Sequence, residues 1–279
     1  MTKISAFLKL IRPINLVITI AVVIVASIIC FGKINLSLDV ILGAFAAAFV
    51  AAGGNIINDI FDLEIDKINR PKRPLPSNQI TKKEAIYFYI NMNIFALIIG
   101  LKISFPAFLI ILFTIILLFL YSYKAKGIPF IGNIIVAVCT ALAFIYGGIL
   151  VDIIYDAIIP AIFAFLVNLI REMVKDIEDI NGDEKNGILT IPIKFGITTS
   201  KKIIFLTSII LISVTFLPFI YGLYQIEYFI IVLFFVNLPI IYFLKELYNK
   251  NYLEKISNIS LGFKIIMVFG LIAIYMGKM

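Results

Sequence analysis

The chain of 279 residues contains no histidine. That absence removes imidazole as a metal ligand or general base, and with it His-dependent catalytic triads and most catalytic zinc sites. Cysteine is nearly absent too. Cys30 and Cys139 both lie inside apolar runs, where they read as small apolar residues, buried or facing lipid. Charge is scarce: 15% of the residues are charged, against about a quarter in a soluble domain. Polar chemistry must therefore rest on carboxylates, amides, hydroxyls, Lys and Arg.

What is abundant is apolar surface. At 62% hydrophobic residues, a chain of this size cannot hide its side chains inside a globule, so lipid must solvate them. Apolar runs fall at about 14–32, 38–58, 85–103, 105–122, 130–150, 153–171, 203–223, 227–244 and 260–277, each near the ~20 residues that cross a bilayer core. Only helices satisfy their own backbone groups in lipid in segments of this length, so the expected fold is all-α, a polytopic bundle of about nine transmembrane helices. The whole chain, 1–279, reads as one such domain. Lys3, Lys9 and Arg12 before the first run resemble a signal-peptide start, but the run from Ile14 to Phe31 is long and no small-residue cleavage site follows it. It is expected to be the first membrane helix.

The net charge of +7 does not point to nucleic acid, because its position is that of an orientation signal. With nine spans, all but Lys33, Lys102 and Lys278 of the 24 Lys and Arg residues fall on one side. The positive-inside rule makes that side cytoplasmic, with the N-terminus inside and the C-terminus outside.

Two acidic segments, at about 55–84 and 171–202, lie on the cytoplasmic side in this topology. In the first, Asn55, Asp59, Asp62 and Asp66 are spaced by 4, 3 and 4 residues. In the second, Glu172, Asp176, Asp179 and Asp183 repeat that spacing. At ~100° per residue each set falls within about 60° of arc and forms one polar stripe. A merely solvated loop is the plainer account of charged residues in a connection. Against it, both stripes begin inside apolar helices, where ionisable groups default to function. Like charges three and four residues apart also destabilise a helix unless a cation neutralises them. Oxygen-only ligands suit Mg²⁺, which takes one or two carboxylates and completes its octahedron with water and phosphate. Arg70, Lys72 and Arg73 follow the first stripe, and Arg171, Lys175, Lys185 and Lys194 flank the second, as phosphate-binding cations would.

Asn58-Asp59-x-x-Asp62-x-x-x-Asp66 followed by Arg73-Pro74-Leu75-Pro76 resembles the first signature of the UbiA-type intramembrane prenyltransferases. Asp176-x-x-Asp179-x-x-x-Asp183, then Lys185-x-Gly187 and Lys194-Phe195-Gly196, resembles the second. Within that family, the run from Arg171 to Asp179 is similar to that of the archaeal members that build the core ether lipid. The resemblance implies geranylgeranyl diphosphate as donor and geranylgeranylglyceryl phosphate as acceptor, joined through an ether. It implies Mg²⁺ held by Asp59, Asp62, Asp66, Asp176, Asp179 and Asp183, with Asn55 and Asn58 placing ligands or phosphate oxygens and Glu172 among the substrate-binding residues. Arg73, Lys124 and Lys194 are implied phosphate clamps. Tyr121 and Tyr123, in a Tyr121-Ser122-Tyr123-Lys124 segment like the family's, are candidates to face the electron-poor prenyl carbon. The expected partners are a prenyl diphosphate, a lipid-like glycerol phosphate and the surrounding membrane lipids, without an obligate protein partner or nucleic acid.

Two other readings stay open at this point. Prenyl transfer to an aromatic acceptor, as in quinone or haem synthesis, uses the same metal chemistry. A cation or phosphate transporter would need polar groups through its middle, and the sixth and seventh runs offer few beyond Asn168 and Thr207.

Overall fold

The computed structural model describes residues 3–185 and 187–278. Among these every regular element is helical. A short helix α1 (Lys3–Ile11) precedes α2 (Pro13–Phe31), α3 (Leu38–Phe61), α4 (Leu63–Asn69), α5 (Lys82–Ile103) and α6 (Phe105–Tyr123). Then come α7 (Ile131–Ile149), α8 (Tyr155–Glu178), the short α9 (Ile180–Lys185) and α10 (Ile191–Phe195), and α11 (Ile197–Ile220). An eighth long segment is made of α12 (Ile226–Ile231), a π-helical turn (Val232–Asn237) and α13 (Leu238–Tyr248); α14 (Tyr252–Lys278) follows. Among the described residues, nine helices are long and apolar enough to cross a membrane, one for each expected run.

Several helices outrun the apolar stretches that mark them. The sixth span continues to Glu178 and the ninth begins at Tyr252, because a helix keeps its backbone bonds after it leaves the hydrocarbon. Starts and stops follow local chemistry. Ser37 caps α3, Thr81 and Glu84 form a capping box at α5, and Ser104 caps α6 one residue before Phe105-Pro106. Gly32, at φ +79°, ends α2 in the left-handed conformation that glycine tolerates.

The chain forms two compact units, Met1–Ala125 with Leu142–Ala157, and Lys126–Ala141 with Ile158–Met279. In the first, α3 is the hub, packed against α2, α5 and α6. Its Ala- and Gly-rich run, Gly43 to Gly54, lets neighbours approach closely. A Cβ on Gly53 would lie 2.8 Å from the Asn93 amide oxygen, and one on Gly147 would lie 2.5 Å from Ala26 Cβ. At one end of α3 the core gathers Ala6 and Leu10 of α1, Ile56, Ile57 and Ile60 of α3, and Leu75 and Ile80 of the following loop.

In the second unit, α11 to α14 pack together around a buried polar knot. Asn237, in the π turn, exchanges hydrogen bonds with Thr215 Oγ1, and the Tyr228 hydroxyl donates to the Thr215 carbonyl at 2.7 Å. The polar groups are thus paired where lipid offers no partner. The two spans that carry the acidic stripes are the most enclosed of the nine. More than half of the apolar stretch is buried in α3 and in α8, whereas little of α5 and α6 is buried and both present their apolar faces outward.

Candidate functional site

Both stripes are built the same way. α3 ends at Phe61, Asp62 stands at the break, and α4 carries Asp66. α8 ends at Glu178, Asp179 stands at the break, and α9 carries Asp183. The backbone bonds nevertheless run through each break: Asp66 N–H donates to the Asp62 carbonyl at 2.8 Å, and Asp183 N–H to that of Asp179 at 3.0 Å. The helical course is kept, so the 4, 3, 4 spacing still lines up the side chains.

In the first stripe Asp59 and Asp66 are held by arginines. Asp59 and Asp66 are buried. Arg73 Nη1 donates to Asp59 Oδ1 at 3.2 Å and to Asp66 Oδ2 at 2.5 Å, bridging two stripe members. Arg12 forms a second ion pair with Asp59. Asn58 Nδ2 donates to Asp62 Oδ2 at 2.9 Å, and Asn55 Nδ2 to the Ile11 carbonyl at 2.9 Å. Asn55 and Asp59 thereby fasten the α1–α2 junction to the polar end of α3. Arg73 reaches inward because its loop is anchored: Leu75 and Ile80 sit in the core, and Ser77 caps the Arg73 carbonyl through both N–H and Oγ. Arg70 and Lys72, its neighbours in sequence, are exposed and are not brought to these carboxylates.

At the end of α6, Tyr121 is half-buried while Tyr123 and Lys124 are exposed. The Tyr123 ring packs against Phe61, the last residue of α3, at 5.6 Å and stacks on Phe119 at 6.1 Å. It therefore stands beside the break that holds Asp62.

The second stripe has different company. Asp176 accepts a hydrogen bond from Asn133 Nδ2 of α7 at 2.9 Å, and Glu172, Asp179 and Asp183 all lie within electrostatic reach of it. Burial pushes the Asp183 carboxyl above the usual carboxylate range and Asp179 beside it adds to the rise, while Lys126 and Lys175 pull it back. Crowding with a like charge and loss of water both disfavour the ionised form, and a cation reverses both. Glu172 pairs with Arg171, whose Nε is buried without a partner. Lys194 stands 5.4 Å over the ring of the adjacent Phe195 and is exposed, as Lys175 and Lys185 are.

Arg12, Lys126 and Asn133 were not among the residues singled out by sequence. Arg12 and Lys126 have no motif around them and count as orientation charges, and Asn133 is one amide in an apolar run. Among the described residues no three acidic or thiol side chains converge into a closed metal cage. The donor set fits Mg²⁺ all the same. That ion takes one or two carboxylates from protein and keeps water or phosphate on its other positions, and the second stripe offers carboxylates crowded together around Asp176, whose partner is an amide and whose charged neighbours are acidic.

The chain matches the UbiA prenyltransferase family over residues 16–266. It is 42% identical over 219 residues to the curated digeranylgeranylglyceryl phosphate synthase of Thermococcus sibiricus, covering 77% of each chain. To that of Methanosphaera stadtmanae it is 32% identical over 275 residues, 99% of this chain and 100% of the other. A solved structure described as digeranylgeranylglyceryl phosphate synthase in membranes aligns with a TM-score of 0.87 at 34% identity, over 100% of this chain and 99% of its own. A UbiA homologue from Archaeoglobus fulgidus bound to DMAPP and Mg²⁺ shares the fold, with a TM-score of 0.67 at 19% identity over 96% of this chain and 98% of its own.

Proposed function

The chain belongs to the UbiA prenyltransferase family, and from that premise we propose that it moves a geranylgeranyl group from geranylgeranyl diphosphate to the free hydroxyl of geranylgeranylglyceryl phosphate. One observation carries the chemistry: the carboxylate pattern of Asn55 to Asp66 recurs in Glu172 to Asp183 with the same helix break at its third member. The names of the curated relatives support the choice of donor and acceptor.

In this reading Asp59, Asp62, Asp66, Asp176, Asp179 and Asp183 would hold Mg²⁺, which when bound would supply Lewis-acid neutralisation of the charge on a departing diphosphate. Arg73 exchanges its carboxylate partners for diphosphate oxygens, a contact its planar fork makes bidentately. Lys124 and Lys194 add point charges for phosphate, and Asn55 and Asn58 keep the first stripe in place. The carbon–oxygen bond to the diphosphate breaks, the acceptor oxygen bonds to the same carbon, and the hydroxyl proton is released. Tyr121 and Tyr123 present aromatic faces to the carbon while it is electron-poor, and apolar helix surface keeps water from competing with the acceptor. The charge asymmetry of the connections supports a cytoplasmic site, N-terminus inside and C-terminus outside.

The test is transfer by detergent-solubilised protein given radiolabelled geranylgeranyl diphosphate, Mg²⁺ and either geranylgeranylglyceryl phosphate or 4-hydroxybenzoate, with an EDTA control. Label is expected in the glycerol phosphate product alone, and EDTA is expected to abolish it. Label in the aromatic product instead keeps the family and replaces the acceptor. No transfer to either acceptor from folded protein contradicts the reading and returns transport to consideration.

A further inference from the structure

Inside the second unit, α7 and α8 meet through two polar rungs. Asn133 of α7 donates from Nδ2 to Asp176 Oδ2 at 2.9 Å. Two turns further along α7, Thr140 Oγ1 accepts from Asn168 Nδ2 at 3.1 Å, and Asn168 lies two turns before Asp176 on α8. The rungs match the antiparallel course of the two helices. Asn133 and Asn168 are both buried. The deeper rung needs only the ordinary account, since two polar side chains in an apolar seam satisfy one another.

The outer rung asks for more. A buried or half-buried carboxylate is most simply stabilised by a cation, which is how the first stripe holds Asp59 and Asp66. At Asp176 the partner is a neutral carboxamide, and the charged groups acting on it are the carboxylates of Asp183, Glu172 and Asp179. An amide donor fixes the orientation of a carboxylate and occupies one oxygen, but leaves the negative charge uncancelled. That is a poor arrangement for stability and a good one for a group that must present its other oxygen to a cation.

We propose that Asn133 is a positioning residue for Asp176, holding Oδ2 so that Oδ1 is set for a divalent ion. The assignment rests on the reading of Asp176 as a magnesium ligand. It predicts a loss in ion affinity when the amide is removed, with acceptor binding untouched. Outer partners of metal ligands commonly account for roughly 10- to 100-fold in affinity.

The experiment measures Mn²⁺ binding to purified, detergent-solubilised protein by the loss of the free-ion EPR signal, without substrates. Asn133→Ala is expected to weaken binding about tenfold. The Mg²⁺ concentration for half-maximal transfer should rise by a similar factor while the KM for acceptor stays put. Asn133→Ser keeps a polar group at the seam but is too short to reach Asp176, and is expected to behave alike; it carries the test where the alanine protein does not fold. Thr140→Val, which removes the deeper rung, should bind Mn²⁺ as the parent does. Folded Asn133 variants that bind Mn²⁺ as tightly as the parent overturn the assignment. If Asp176→Ala binds Mn²⁺ as tightly as the parent, the reading of Asp176 as a ligand fails instead.

Discussion

Asp62→Ala and Asp179→Ala are each expected to lower the rate of prenyl transfer by about a thousandfold at saturating substrate. A Lewis-acid contact to a leaving group contributes several kcal/mol in the transition state, and about 4 kcal/mol corresponds to three orders of magnitude in rate. These two positions separate chemistry from folding better than their neighbours do. Both stand at the break between a membrane helix and the short helix after it, Asp62 half-buried and Asp179 exposed. Truncating a side chain so placed costs little stability, whereas Asp59 and Asp66 are buried in a net of ion pairs. Initial rates beside thermal unfolding in the same detergent check the point. Variants that unfold like the parent and transfer within tenfold of it would remove both residues from the metal site.

Arg73→Met is expected to damage both stability and activity. Its guanidinium, one-fifth exposed, bridges Asp59 and Asp66, which are nearly inaccessible. Removing one member of such a set leaves buried carboxylates uncompensated, a loss of about 3 kcal/mol or more. Arg12 still offsets Asp59, so Asp66 bears most of the loss. Millimolar Mg²⁺ should restore part of the thermal stability of the Met variant, since an ion bound by the folded state alone stabilises it. Arg73→Lys should recover part of the stability but not the transfer. A single ammonium cannot reproduce the planar fork that serves two carboxylates, or in the proposed reaction the diphosphate oxygens. Unfolding curves with and without Mg²⁺ decide this; a Met variant as stable as the parent would contradict the bridge.

The nine spans were legible in the sequence because lipid imposes a length and a composition on every crossing segment. Their ends were not. The run to 171 hides a helix that continues to Glu178, and the run from 260 hides one that starts at Tyr252, because hydropathy stops reporting where the hydrocarbon stops. The carboxylate stripes were legible because a 4, 3, 4 spacing is local. The breaks at Asp62 and Asp179 were not, since neither Gly nor Pro stands there and the backbone bonds continue across them.

Long-range partners leave no local period. Arg12 meets Asp59 across 47 residues and Asn133 meets Asp176 across 43. Each looks ordinary in its own segment. Adjacency misleads in the other direction: Arg70, Lys72 and Arg73 share one loop, yet Arg73 alone turns in to the stripe, steered by the burial of Leu75 and Ile80. Lys124 and Lys194 are exposed, and their place near phosphate rests on the proposed function rather than on a contact within the chain.

The most direct test of the central claim is to follow oxygen. Geranylgeranylglyceryl phosphate labelled with ¹⁸O at its free hydroxyl is incubated with geranylgeranyl diphosphate, Mg²⁺ and purified protein, and the product is weighed by mass spectrometry. Alkyl transfer to the hydroxyl predicts a product that carries the second C20 chain and retains ¹⁸O in the new ether, absent when EDTA is present. A product that has lost the label, or one formed equally well in EDTA, would contradict metal-assisted departure of the diphosphate and attack by the acceptor oxygen.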